Sequence, residues 1–140
     1  MSCDKITIYK NKKTGLYLVQ PMAKHPTGAS ADFGDPTSLT EEEFESRIVS
    51  VVQENLRKYH QQTFDQKLAL SFSDEEYSRF TRGHNCVCVT VDDNGIVELI
   101  PAARVPGGYV GLKEGNISIS KYEIGARLAG AIRDAFRDAR

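Results

Sequence analysis

The spacing of apolar residues changes several times along the chain, and each change marks an element. Lys5-Ile6-Thr7-Ile8-Tyr9 is β-branched and aromatic, as a strand requires. Asn11-Lys12-Lys13-Thr14-Gly15 reads as a turn, and Leu16-Tyr17-Leu18-Val19 returns as a second strand, which predicts a hairpin. Between Pro21 and Leu39 the pattern dissolves under Pro21, Pro26, Gly28, Gly34 and Pro36, so a long surface loop is expected. Loops of that length inside a domain are often functional or mobile.

Helical spacing begins at Thr40. Glu43 stands three residues on, so the two can form a capping box. Phe44, Ile48, Val51, Val52, Asn55, Leu56 and Tyr59 then recur along one helix face. Ser73 and Glu76 repeat the capping spacing before a short helix through Tyr77 and Phe80 that stops near Gly83. Cys86 to Val91 and Ile96 to Ile100 flank Asp92-Asp93-Asn94-Gly95, a strong hairpin signal. The first of these strands is apolar on both faces, which places it centrally in a sheet. Tyr109 to Leu112 and Ile117 to Ile119 read as short strands. Ser120 and Glu123 offer a third box, after which Ile124, Leu128, Ile132 and Phe136 step by four along a last helix. Ala126, Ala129, Ala131 and Ala135 let that helix approach its neighbour closely. The fold class expected is α+β: an antiparallel sheet built from hairpins, with two longer amphipathic helices and one short helix packed on it.

The 140 residues fit a single globular domain over 1–140, with no repeat or internal boundary. Hydrophobic residues at 40% and charged residues at 26% exclude a disordered chain. A net charge of -1 argues against non-specific binding to nucleic acid or an anionic membrane. No apolar run approaches the roughly 20 residues of a membrane span. Met1-Ser2-Cys3-Asp4-Lys5 has no apolar leader segment, and three cysteines are an odd number. A soluble cytoplasmic protein with reduced thiols is expected.

Candidate chemistry is sparse. In a strand His84, Cys86 and Cys88 project from one face, about 7 Å apart at i, i+2 spacing. A tetrahedral metal site needs tighter convergence and a fourth ligand, which only Cys3 could supply. Buried free cysteine usually packs as a small hydrophobe. The alternative is a small metal-dependent or thiol-using enzyme or regulator built on His84, Cys86 and Cys88. His25, His60 and His84 sit in no catalytic motif. Asp92 to Gly95 fails as a calcium loop, because its last ligand position would be Pro101. Gly107 to Lys113 lacks the P-loop spacing. Asn116-Ile117-Ser118 is a glycosylation sequon without a secretory leader to give it meaning. No catalytic residue, metal or cofactor is expected, and the chain reads as a binding module rather than an enzyme.

Charge is unevenly distributed. Between Lys24 and Arg47 there is no Lys or Arg, while Asp32, Asp35, Glu41, Glu42, Glu43 and Glu45 fall in that interval; Asp65, Asp74, Glu75 and Glu76 follow. Helix N-termini favour carboxylates through the macrodipole. Yet one carboxylate caps an end, and Asp32 and Asp35 lie outside any expected helix. A basic partner is therefore expected, met by Asp32, Phe33, Asp35, Glu41, Glu42, Glu45, Asp74 and Glu75. Phe33 either anchors that partner or tucks the loop onto the core.

Ile6-Thr7-Ile8 with Leu16-Tyr17-Leu18, the Asp35-Pro36-Thr37 turn, Gly107-Gly108-Tyr109-Val110-Gly111-Leu112, and Ile117 to Ile119 leading into Ile124-Gly125-Ala126-Arg127-Leu128 occur here in one order. In that order the chain resembles the small immunity proteins of bacterial contact-dependent growth inhibition systems. The resemblance covers most of the chain and implies a role, not a set of contact residues. That role is a cytoplasmic inhibitor that binds and neutralises the C-terminal domain of one cognate toxin, often a nuclease with a basic cleft. Direct nucleic-acid binding and membrane association are not part of it.

Overall fold

The computed structural model describes residues 3–65 and 73–140; Met1 and Ser2, part of the expected leaderless start, lie outside them. Among the described residues, eight strands form one curled antiparallel sheet and three helices pack on it, the α+β class that the hydrophobic pattern predicts, with the short helix on the opposite face from the two long ones. β1 (Asp4–Asn11) and β2 (Tyr17–Lys24) make the first hairpin. β3 (Ser30–Asp32) and β4 (Thr37–Leu39) both pair with β2. α1 (Glu41–Gln61) and α2 (Asp74–Gly83) precede β5 (His84–Val91). β6 (Ile96–Val105), β7 (Gly108–Gly111) and β8 (Ile117–Ser120) follow, and a single 3-10 turn leads into α3 (Ile124–Asp138). The strand order is β3-β2-β1-β5-β6-β7, so β5 is central, as its two apolar faces predict.

The expected long loop over 21–39 is corrected. β2 runs through Pro21 to Lys24, and two short strands return along it. Pro21 does not break the strand because its missing N–H falls between the partners. β4 ends its pairing at Val19, β3 begins at Met22, and the Pro21 carbonyl accepts from Phe33 N–H on that same edge. Pro101 does the same in β6. β8 ends at Leu99, β7 begins at Ala102, and the Pro101 carbonyl accepts from Leu112 N–H. Each long outer strand thus hands over from one short edge partner to another at a proline.

The two faces of the sheet are unequal. Ile6, Ile8, Tyr17, Val19, Val87, Val89, Val97 and Leu99 point to one face and are fully or almost fully buried. α1 and α3 cover it with Phe44, Ile48, Val52 and Leu128, Ile132, Phe136. Fully burying such side chains contributes roughly 1.5–3 kcal/mol each. Tyr17 stacks on Phe44 at 4.3 Å, and the Arg133 guanidinium lies 4.8 Å over the Phe44 ring. The expected capping boxes at Thr40/Glu43 and Ser120/Glu123 are both present. At Ser73 the side chain accepts from Glu76 N–H and donates to its carboxylate. Among the described residues, the opposite face carries the short helix α2 and a small cluster around Tyr9, Cys86 and Ala102.

Candidate functional site

Short α2 covers one part of the second face, and the turn after β3 rises along another. Between them lies a cleft of about 840 Å³. That is within the size of ligand and side-chain pockets, roughly 300–1,000 Å³. Alternation along the strands builds its floor: Thr7 and Tyr9 of β1, Leu18, Gln20 and Met22 of β2, and Cys86 and Cys88 of β5 all project to this side.

Two glutamines fix the turn at the cleft's edge. Gln62, which ends α1, donates from Nε2 to the carbonyls of Phe33 at 2.7 Å and Met22 at 3.0 Å. Gln20 donates from Nε2 to the carbonyls of Gly34 at 2.9 Å and Pro21 at 3.0 Å. Gly34 has φ +98, and a Cβ there would come within 3.1 Å of Gln62 and 3.3 Å of Pro21, so only glycine fits the bend. Phe33 is half-buried, with its ring 5.5 Å from that of Phe64, and it also lines the cleft.

Asp32 is the chemical centre of the cleft. Its residue surface is exposed, yet both carboxylate oxygens turn inward. Tyr9 Oη donates to one at 2.5 Å and Thr7 Oγ1 to the other at 3.0 Å. Crowding by surrounding protein raises the Asp32 pKa above the ordinary carboxylate value, against the two hydrogen bonds, which lower it. The Tyr9 hydroxyl is pushed far up, first by burial and then by the neighbouring carboxylate. Tyr77 of α2 is raised by burial and by the same charge. The Cys86 thiol is raised by its interaction with the neighbouring Cys88 thiol and by burial, whereas Cys88 is lowered by that interaction against its own burial.

The expected partner-binding residues separate into two groups. Asp32, Phe33, Asp35 and Asp74 come together around the cleft, although Asp74 lies far from the others in sequence. Among the described lining residues there is no Lys, Arg or His. Glu41 and Glu45 do not join them. Glu41 accepts from Tyr17 Oη at 3.3 Å and lies 3.6 Å from Lys10 Nζ, and Glu45 pairs with Arg133. Glu42 and Glu75 are exposed in the first turns of α1 and α2, outside the cleft lining.

The fold is shared with two solved structures. One is described as a protein of unknown function, NMB0488, from Neisseria meningitidis, with TM-score 0.75 and 12% identity over 99% of this chain and 96% of that one. The other is a chain of the CdiA-CT/CdiI toxin and immunity complex from Yersinia pseudotuberculosis, with TM-score 0.69 and 9% identity over 100% of this chain and 99% of that one. No protein-family model and no curated protein matches the sequence.

His84 does not assemble with the two thiols. Its ring stacks on Phe80 at 4.0 Å and 18°, and its Nδ1 lies 2.8 Å from the Phe80 carbonyl. Among the described residues, no group of three or more His, Cys, Asp or Glu side chains converges as metal ligands would. His25 and His60 border a second hollow of about 610 Å³, where His60 Nε2 lies 2.7 Å from Asp4. No helix among the described residues is long and apolar enough to cross a membrane.

Tyr9, Thr7, Gln20, Gln62 and Tyr77 were not legible as site residues. A polar signal did exist: Thr7 interrupts an apolar strand, and Gln20 lies on the same side of the hairpin through the Thr7–Gln20 pairing. Two polar residues side by side on one face mark a part of the sheet that none of the described helices covers.

Proposed function

We propose that this chain is an immunity protein: it binds the C-terminal domain of one cognate toxin in the cytoplasm and neutralises it without catalysis. The observation that carries this reading is the cleft. Asp32, Asp35 and Asp74 surround it and, among the described residues, no cationic side chain lines it, whereas Glu41, Glu43 and Glu45 of α1 already have cationic partners. Uncompensated negative charge beside apolar walls suits a basic partner surface, and a nuclease that holds phosphates presents one. The likeness in fold to a chain of a toxin and immunity complex supports the same role. The partner contacts are then Asp32, Phe33, Asp35 and Asp74, with Glu75 beside them; Glu41, Glu42 and Glu45 stand apart on the α1 side.

The test is binding to the toxin-like C-terminal domain encoded beside this gene, with growth rescue measured in parallel. Asp35→Asn with Asp74→Asn should weaken binding and reduce its salt dependence. Glu42→Gln with Glu45→Gln should leave both unchanged. Absence of binding and rescue by the unmodified protein would refute the role. Loss of binding only in the α1 pair would place the interface on the other side of the molecule.

A further inference from the structure

Asp32 is held from the cleft floor. Tyr9 Oη donates to one carboxylate oxygen at 2.5 Å and Thr7 Oγ1 to the other at 3.0 Å. Both donors are buried, so the carboxylate is set in place before any ligand arrives. An ionised carboxylate has two acceptor sites on each oxygen, and the two bonds use one on each. One site per oxygen remains, which is the pattern a forked donor satisfies. Asp32 is exposed, so a ligand can reach them.

The walls beside this carboxylate are aromatic and apolar. Tyr9 packs edge-on to Phe80 at 5.0 Å and lies 5.9 Å from Tyr109. Tyr77 of α2 lines the same cleft, half-buried, and lies near enough to feel the charge of Asp32. Among the described residues its ring meets no other ring and its hydroxyl has no hydrogen-bond partner. A ring that lines a cavity without a ring partner, beside a fixed carboxylate, is a wall that a cation can lie against. Leu18, Met22 and Pro36 supply apolar surface nearby.

We propose that the cleft is an arginine socket: one arginine side chain of the partner enters it, its guanidinium forks onto both oxygens of Asp32, and its plane lies against the Tyr77 ring. The partner's identity rests on the immunity reading; the socket itself does not. Arginine fits better than lysine. Its guanidinium is planar, carries paired donors and is more weakly hydrated, so it loses less on entering a partly apolar cleft. Its methylene stem covers Leu18 and Met22. A lysine ammonium is a compact charge that no carboxylate fork selects. A metal ion fits worse still, since among the described residues no three His, Cys, Asp or Glu side chains converge. Asp35 and Asp74, both exposed, draw the cation toward the cleft, an attraction that salt screens.

The experiment titrates the whole folded protein, labelled with nitrogen-15, with the N-acetyl methylamides of arginine, lysine, citrulline and leucine. Amide spectra report binding, place it on the chain and show that each variant is folded. The arginine probe should give saturable shifts at Asp32, Phe33 and Tyr77. The lysine probe should bind at least about fivefold more weakly, the fold-change that a charge–ring contact supplies. Citrulline, which keeps the shape without the charge, should not bind. Asp32→Asn should weaken the arginine probe at least about tenfold, as loss of a hydrogen bond to a charged group does. Tyr77→Leu, which removes only the ring, should bring the two cations within about twofold of each other. Glu42→Gln should change nothing. Equal affinity for arginine and lysine, tighter binding of leucine, or arginine binding indifferent to Asp32→Asn would overturn the proposal.

Toxin binding is scored separately. An arginine-to-lysine scan of the toxin domain should find one position where affinity falls at least about tenfold, as for a central anchor. Small losses spread over many positions, or toxin binding that the arginine probe does not compete with, would overturn the anchor and leave the immunity role standing. Arginine binding without any toxin binding would support the socket and remove the immunity role.

Discussion

Tyr9→Phe isolates one hydrogen bond of the cleft from the packing around it. The Tyr9 ring is 8% exposed, packs edge-on to Phe80 at 5.0 Å and lies 5.9 Å from Tyr109. Phenylalanine keeps all of that. What is lost is the 2.5 Å bond to Asp32. Hydrogen bonds to charged groups contribute about 1.5–3 kcal/mol. Because Asp32 remains open to water on one side, the cost belongs at the low end, about 1.5 kcal/mol. Urea unfolding at pH 7 should show a lower midpoint with an unchanged m-value. Paired with Asp32→Asn in a double-mutant cycle, the two changes should couple by about 1 kcal/mol.

Acidity gives a second, independent readout of the same bond. Burial raises the folded-state pKa of Asp32, so the stability linked to this group is present below the unfolded carboxylate value and is lost as pH rises through the folded value. The ionised acceptor is also the form that Tyr9 stabilises. The cost of Tyr9→Phe should therefore be smallest where Asp32 is protonated and grow to its full size toward neutrality. A cost under about 0.5 kcal/mol, a cost independent of pH, or strict additivity with Asp32→Asn would refute the argument, since a charge-assisted bond predicts all three differently.

Leu128→Ala should destabilise by about 2–5 kcal/mol, because Leu128 is fully buried between α3 and the sheet, and chemical denaturation would read it directly. Asn55→Leu should be neutral or stabilising in a thermal melt. Asn55 is fully buried, and among the described residues its Nδ2 serves the Val51 carbonyl alone and its Oδ1 has no partner, so the amide is worth little where it sits. Gly95→Ala should cost about 1–3 kcal/mol in denaturant titrations, since Gly95 has φ +76 and a Cβ would meet Lys121 Cδ at 2.5 Å.

Period and capping made the helices and the central strand legible, because those features follow from local geometry. Phe44 to Tyr59 and Ile124 to Phe136 bury the faces their spacing predicts. The stretch 21–39 was misread for a physical reason. Proline breaks a strand only where its N–H is needed, and whether it is needed depends on the partner strand, which sequence spacing does not reveal. The spatial grouping of the candidate site residues was hidden in the same way. Asp74 reaches Asp32 and Asp35 only because α2 folds over the second face, while Glu41 and Glu45, nearer to them in sequence, start a helix on the first face. A charge run in sequence therefore became two surfaces in space. Which carboxylates lie free was also hidden, because Lys10 and Arg133 come from distant elements.

The handover at Pro21 and Pro101 has a consequence for how this chain behaves at high concentration. Among the described residues, the outermost strands are β3 and β4 with three residues each on one side, and β7 and β8 with four each on the other. An open sheet invites copies of itself to add on and grow into fibrils when its rim offers a long, flat run of free amides. Here each rim is cut in two, and at the cut stands a residue with no amide hydrogen to offer. The ten residues of β6 never face solvent as one continuous template, so the molecule carries a wide sheet without the ordinary hazard of one.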